Sequence, residues 1–216
     1  ISNGTRGYVF RASLLARPAE EVVLKVSDGE WEFRNERWLQ EQGLQQLVGS
    51  PAVLDCFPLM RKPWTVCAME MLGPSIYVTW DSYTRQEEKL RRAARPMLQA
   101  LRAVHAVHVA HTDVKPLNIC ESRDGLFWRL IDWGCAKSLE DHHREGTKAS
   151  GRKGAPTYQS PEMLSDQGWD CPTDMWSLGV TLAELYVGHV WDADHPTLFS
   201  WPDHDSNVPD VLVQIE

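Results

Sequence analysis

Over residues 7–15 and 22–26 the chain carries short β-rich runs, whereas residues 31–48 place apolar side chains at helical spacing. A further strand-like run, residues 66–71, ends in Leu72-Gly73-Pro74-Ser75, where Gly and Pro interrupt any regular element. Beyond it the period changes. Leu90, Ala94, Met97, Leu98, Leu101 and Val104 recur at helical spacing between residues 87 and 109, as do Trp176, Leu178, Leu182 and Leu185 between 173 and 186. Trp128, Leu130 and Ile131 read as the end of a strand. The pattern predicts an α+β protein: a β-rich part with one main helix over residues 1–72, then a mainly helical part over 73–188. Residues 189–216, with Pro196, Pro202, Pro209 and six acids, do not read as further helices, and no internal repeat is present.

Composition narrows the class. At 216 residues, 43% hydrophobic and 24% charged, the chain holds one substantial core or two small ones. Its five cysteines (56, 67, 120, 135 and 171) form no Cys-x-x-Cys pair, which predicts unpaired thiols in a reducing, cytoplasmic or nuclear compartment. No apolar run approaches the roughly 20 residues of a membrane span, and the start does not read as a signal peptide. The start at Ile1 leaves room for a segment upstream. Charge is uneven: residues 1–153 hold all 22 Lys and Arg against 19 acids, and residues 154–216 hold 11 acids with no Lys or Arg. The basic part suits an anionic substrate such as a nucleoside triphosphate, but its small excess argues against nucleic acid.

The chemistry concentrates in two places. In His111-Thr112-Asp113-Val114-Lys115-Pro116-Leu117-Asn118, offsets of two and five from Asp113 let one short loop present a carboxylate, a cation and an amide around a single group. Fourteen residues after Asn118, Asp132-Trp133-Gly134 closes a hydrophobic run and adds a second carboxylate. A third feature is Lys25 in Val22-Val23-Leu24-Lys25, 18 residues after Gly7. Lysine among apolar neighbours needs a charge partner, unless the strand is an edge and the lysine points to solvent.

These motifs resemble the protein kinase family, in the correct order over roughly residues 1–188. The resemblance implies a two-lobed kinase-like fold that binds ATP and Mg2+, with Mn2+ as an alternative ion, and phosphorylates protein substrates. In it, Asp113 orients and accepts the proton of a substrate hydroxyl, Lys115 neutralises the transferred phosphoryl, and Asn118 and Asp132 ligate the metal. Gly4, Gly7, Val9, Val23 and Lys25 surround the nucleotide. Glu36 holds Lys25 from the first helix, since Leu39, Leu44 and Leu47 lie within about a quarter turn of it; Glu32 and Glu41 are the alternatives. Val66 to Ser75 is similar to the family's fifth strand and hinge, with Met69 at the back of the pocket and the Glu70 carbonyl and Leu72 amide on adenine. Gly154-Ala155-Pro156-Thr157-Tyr158 to Pro161-Glu162 is similar to the end of an activation segment, and Asp174 to a brace on the catalytic loop. Lys115 and the Gly-x-Pro-x-Tyr pattern favour serine and threonine substrates.

Several positions depart from the family pattern. Ser2 replaces a loop glycine, Trp133 a phenylalanine, Val23 an alanine and Ala155 a threonine whose hydroxyl contacts the catalytic residues. Thr112 replaces the arginine that docks a phosphorylated activation segment, here carrying Thr147 and Ser150. No Lys or Arg follows Lys153 to pair with Glu162, so the second lobe is either shortened or completed by a partner protein. The basic run His142, His143, Arg144, Lys148, Arg152 and Lys153 attracts acidic substrates or is solvated loop. Cys135 is a thiol near the nucleotide or a small buried filler, and Trp38, Trp128 and Trp176 read as core. Two other functions fit the same residues: a pseudokinase scaffold that binds nucleotide and partners, and a small-molecule phosphotransferase of related fold.

Overall fold

A computed structural model describes residues 2–4, 7–15, 17–27, 33–58 and 64–188. The first part is an antiparallel five-stranded sheet in the order β1-β2-β3-β5-β4, formed by β1 (Ser2–Gly4), β2 (Gly7–Leu14), β3 (Arg17–Ser27), β4 (Val53–Pro58) and β5 (Thr65–Glu70). β5 lies between β3 and β4, and Thr65 to Met69 are all buried, so both faces of this strand are covered, unlike a one-sided strand whose burial alternates. Register places Val9 opposite Lys25, Lys25 opposite Cys67, and Val23 opposite Met69. Paired residues share a face, as do residues two apart, so Val9, Val23, Lys25, Cys67 and Met69 all look the same way.

The single helix expected over 31–48 is two. α1 (Arg34–Glu41) and α2 (Gln45–Val48) are separated by Gly43 at φ +67°. The Leu44 N–H bonds to the Leu39 carbonyl and the Gly43 N–H to Gln40, which caps α1 and turns the chain. Helical spacing carried across this break because the two helices cover the same core, into which Leu39 is buried and Leu44 packs. Residues 31 and 32 lie outside the described residues.

Residues 71–74 connect the sheet to the helical part. Gly73 lies so close to the backbone of Glu121 and Ser122 that a Cβ would sit 2.9 Å from each carbonyl, and its N–H bonds to the Glu121 carbonyl. α3 (Glu87–His105) buries Leu90, Ala93, Ala94, Met97, Ala100, Leu101 and Val104 against α6 (Thr173–Val187) and the strands around the site. Leu98, expected in that stripe, is 41% exposed, because a residue next to Met97 turns about 100° away from it. Short pairs β6 (Val109–Ala110) with β9 (Lys137–Ser138), and β7 (Ile119–Glu121) with β8 (Trp128–Leu130), frame the loop from His111 to Asn118. α4 (Glu140–Glu145) and α5 (Pro161–Leu164) flank the segment that follows β9. Trp128 is core, while Trp38 and Trp176 are only partly buried. A β-sheet lobe joined to a helical lobe makes this a two-lobed α+β fold.

The expectation of five unpaired cysteines is corrected. Cys56 and Cys67 face each other across β4 and β5 with Cα atoms 4.2 Å apart and are disulfide-bonded, a pairing that strand register creates and sequence spacing hides. Cys120, Cys135 and Cys171 are free thiols.

Candidate active site

The loop from His111 to Asn118 is held from below. Asp174, fully buried at the start of α6, accepts the His111 N–H (2.8 Å) and His105 Nε2–H (2.9 Å) on Oδ2 and the Thr112 N–H (2.8 Å) on Oδ1. His111 Nε2–H donates to the Ile131 carbonyl (3.1 Å), and its Nδ1 accepts the Asp113 N–H (3.2 Å). Accepting at Nδ1 requires a neutral ring, and burial lowers the His111 pKa in agreement. Thr112 adopts φ +64° and Asp132 φ +62°, left-handed backbone uncommon outside glycine.

On this frame Asp113 is fully engaged. Its Oδ2 accepts from Lys115 Nζ (2.7 Å) and Asn118 Nδ2 (2.8 Å), and its Oδ1 from the Ala155 N–H (2.9 Å). Asn118 Nδ2 also reaches the Asp113 carbonyl (2.8 Å), so the amide nitrogen is committed as a donor to Asp113 and the amide oxygen is its acceptor end. Gly154 makes the Ala155 contact reachable: at φ +71°, a Cβ there would lie 2.0 Å from the Thr112 carbonyl oxygen and 3.0 Å from Asp113 Oδ1.

The sheet supplies the opposing wall. Lys25 Nζ bonds to Asp132 Oδ1 at 2.7 Å, across a sequence separation of 107. Burial pulls the Asp132 carboxyl up, but the charge and hydrogen bond of Lys25, with Lys115 adding, hold it below the usual aspartate value. Glu36 is buried on α1, whereas Glu41 is exposed and Glu32 lies outside the described residues. Glu36 Oε1 accepts the Trp133 N–H (3.1 Å), and its Oε2 has no hydrogen-bond partner among the described residues. Burial lifts its pKa from 4.5 to about 7, against the opposing charge of Lys25.

Gly4 and Gly7 are paired at the adjoining ends of β1 and β2, and Val9 and Val23 line the Lys25 face of the sheet. Met69 is buried beside Phe33, Val53 and Cys67. Glu70 bonds its N–H to the Ala52 carbonyl (2.9 Å), while the Leu72 N–H has no hydrogen bond among the described residues and is available as a donor. Pro74 and Gly73 lie with Met71 and Leu72 along an open cavity of about 340 Å³ that also touches Arg11, Glu21 and Arg123.

Two contributors escaped sequence reasoning. Asn35, next to Glu36, donates from Nδ2 to the Trp133 (2.7 Å) and Ala136 (3.2 Å) carbonyls, so α1 grips the Asp132 turn from two adjacent positions. Arg129 on β8 bonds Glu70 through both terminal nitrogens (3.0 and 3.1 Å) and donates to the Gly49 (2.5 Å) and Ser50 (3.0 Å) carbonyls. A charged residue inside the apolar run 128–131 was the available signal, the same one that marked Lys25. Gly154 was visible as part of the activation-segment motif, but its close approach to Thr112 and Asp113 shows only in the fold.

Among the described residues no three His, Cys, Asp or Glu side chains form a metal cluster. Mg2+ takes one or two protein oxygens and completes its shell with water and nucleotide phosphates. Asp132, held ionised and partly exposed, and the oxygen of Asn118 fit that demand.

The family model described as "Protein kinase domain" matches residues 1–199. The chain belongs to the protein kinase family. It is similar to "Serine/threonine-protein kinase TIO" of Arabidopsis thaliana, 36% identical over 63% of this chain and 10% of that protein. It is also similar to "Probable serine/threonine-protein kinase mkcC" of Dictyostelium discoideum (27% identical; 87% of this chain, 20% of that one) and to "CBL-interacting serine/threonine-protein kinase 9" of Arabidopsis thaliana (27%; 84% and 41%). This kinase therefore spans less than half the length of each. Membership implies ATP and Mg2+ as ligands and proteins as substrates in general terms. No described helix is long and apolar enough to cross a membrane.

Proposed function

We propose that this kinase is catalytically active and transfers the ATP γ-phosphate to serine and threonine hydroxyls of proteins. The observation that carries this reading is that residues spread from 25 to 132 gather into two hydrogen-bonded groups, Lys25 with Asp132 and Asp113 with Lys115 and Asn118, near enough that the Lys115 charge acts on the Asp132 carboxyl. Asp113 points a carboxylate, oriented by three donors, at the place where a substrate hydroxyl would give up its proton. Lys115, beside it, would spread charge on the transferred group, and Lys25 would leave Asp132 for the nucleotide phosphates. Mg2+ held by Asp132 and Asn118 would neutralise phosphate charge. Adenine would lie on Val9 and Val23, against Met69, with the Glu70 carbonyl and Leu72 N–H as its polar contacts. The lobes divide near residue 73, and residues 189–216 fall outside the described residues.

A pseudokinase scaffold is the second reading. It is favoured by one observation: the Glu36 carboxylate accepts the Trp133 N–H, and Lys25 donates to Asp132, the carboxylate proposed to hold the metal. Labelled γ-phosphate transfer from Mg-ATP to a serine- and threonine-containing peptide pool and to the protein itself, compared with Asp113→Asn, separates the two. Transfer lost in the variant establishes the enzyme. Tight Mg2+-dependent ATP binding without transfer establishes the scaffold.

A further inference from the structure

The stretch just before Ala155 reaches the catalytic carboxylate through its backbone and sends its side chains outward. Ala155 donates to Asp113 and Gly154 abuts Thr112, so Lys153 and Arg152 stand two and three residues from a direct contact with the catalytic base. At 3.8 Å between successive Cα atoms that is at most about 8 and 11 Å. Their backbone is fixed. Gln159 Nε2 donates to the Lys153 (2.9 Å) and Gly154 (3.2 Å) carbonyls, the Lys153 N–H meets Met163 Sδ (3.4 Å), and Trp169 Nε1 bonds the Gly151 carbonyl (2.7 Å).

Arg152 and Lys153 are exposed, and neither forms an ion pair with a carboxylate among the described residues. Arg152 uses one nitrogen on the Leu164 carbonyl (3.0 Å), which orients the side chain without neutralising it. Asp166 touches this stretch at the Gly151 N–H (3.1 Å). On the catalytic loop the outward residue between Lys115 and Asn118 is Leu117, 50% exposed and uncharged. The mouth of the site thus offers a substrate chain two cations on fixed backbone and an apolar side chain, while the Asp113 carboxylate is already satisfied by three donors.

We propose that Arg152 and Lys153 make this kinase select serine or threonine residues flanked by an anionic side chain, either a carboxylate or a phosphorylated residue. This rests on the kinase reading of the same site. Each exposed cation facing one substrate charge contributes modestly, so the expected preference over a neutral peptide is about three- to tenfold at low salt and fades as salt screens it.

The test uses one hydroxyl peptide with four flanks: alanine, aspartate, phosphoserine and arginine. Transfer kcat/KM and, separately, binding of the fluorescently labelled peptides are measured at low and high salt for the protein and for Arg152→Glu/Lys153→Glu. Preference for the aspartate or phosphoserine flank that turns toward arginine in the variant, with the alanine peptide unaffected, supports the inference; which anion is preferred identifies its source. Equal use of all flanks, or an anionic preference that survives charge reversal, overturns it. Should no peptide be phosphorylated, the kinase reading fails and the binding measurement decides alone: reversal of the preference supports the recognition role, and indifference refutes it.

Discussion

Glu36→Gln tests how the buried carboxylate on α1 is held. Burial lifts its pKa from 4.5 to about 7. At 1.36 kcal/mol per pKa unit this difference corresponds to about 3 kcal/mol. The native state binds the proton more tightly than the unfolded chain, so the stabilising contribution is complete below about pH 4.5. It is lost as pH rises through about 7, where the native carboxylate must ionise inside the protein. Glutamine cannot ionise. Its Oε1 can keep the Trp133 N–H, and its amide nitrogen replaces an Oε2 that has no hydrogen-bond partner among the described residues. The variant should therefore resemble the parent near pH 5 and exceed it by about 3 kcal/mol at pH 8, or roughly 6–12 °C in Tm for a chain of this length. Urea and thermal unfolding at half-unit steps from pH 5 to 8.5 would measure it. Parallel stability profiles for parent and variant would refute the reasoning. At pH 8 the same variant should phosphorylate more slowly, because an ionised Glu36 is the group able to draw Lys25 from Asp132.

Gly154→Ala drives a methyl group against the Thr112 carbonyl and should displace the Ala155 N–H from Asp113. Losing a hydrogen bond to a charged group, about 1.5–3 kcal/mol, predicts a kcat lower by roughly 10- to 150-fold with nucleotide affinity nearly unchanged, read by steady-state kinetics and ATP titration. Arg129→Met leaves Glu70 and two carbonyls without their donor, for about 2–4 kcal/mol of lost stability in urea unfolding. Adding Glu70→Met should recover part of it. Asn35→Ala removes two bonds to the Asp132 turn and should weaken Mg-ATP binding about three- to tenfold in calorimetry, with little change in ATP binding when Mg2+ is chelated.

What could be read from the sequence was local. Asp113, Lys115 and Asn118 fall within six residues, so their spacing nearly dictates their geometry, and α3 announces itself through a stripe confined to one helix. Lys25 was visible because a charge in an apolar strand demands a partner, although only the fold shows that Asp132 is that partner here. Asn35 escaped because its acceptors are 98 and 101 residues away and are backbone carbonyls, which carry no residue type. The Cys56–Cys67 pairing and the break at Gly43 were hidden for a related reason. Strand register sets the first, and the second leaves helical spacing intact on either side of a turn.

The departures from the family pattern look different once these contacts are placed. Ala155 lacks a hydroxyl, but its backbone N–H reaches Asp113 at 2.9 Å. Thr112 lacks a guanidinium, but its Oγ1 donates to the Cys135 carbonyl at 2.8 Å and ties the catalytic loop to the chain beyond Asp132. Glu162 forms no ion pair among the described residues, yet the same segment is anchored by Tyr158, whose hydroxyl donates to buried Glu184 on α6 at 2.8 Å. Each substitution removes a side-chain contact at a place where another group already holds the backbone, so none of them argues strongly for a silent site. The contact that discriminates is Lys25 with Asp132. Mg-ATP would compete for both partners at once, with phosphate drawing the lysine and the metal drawing the carboxylate. A pair that survives binding of Mg-ATP would count against transfer, and a pair that opens is what transfer requires.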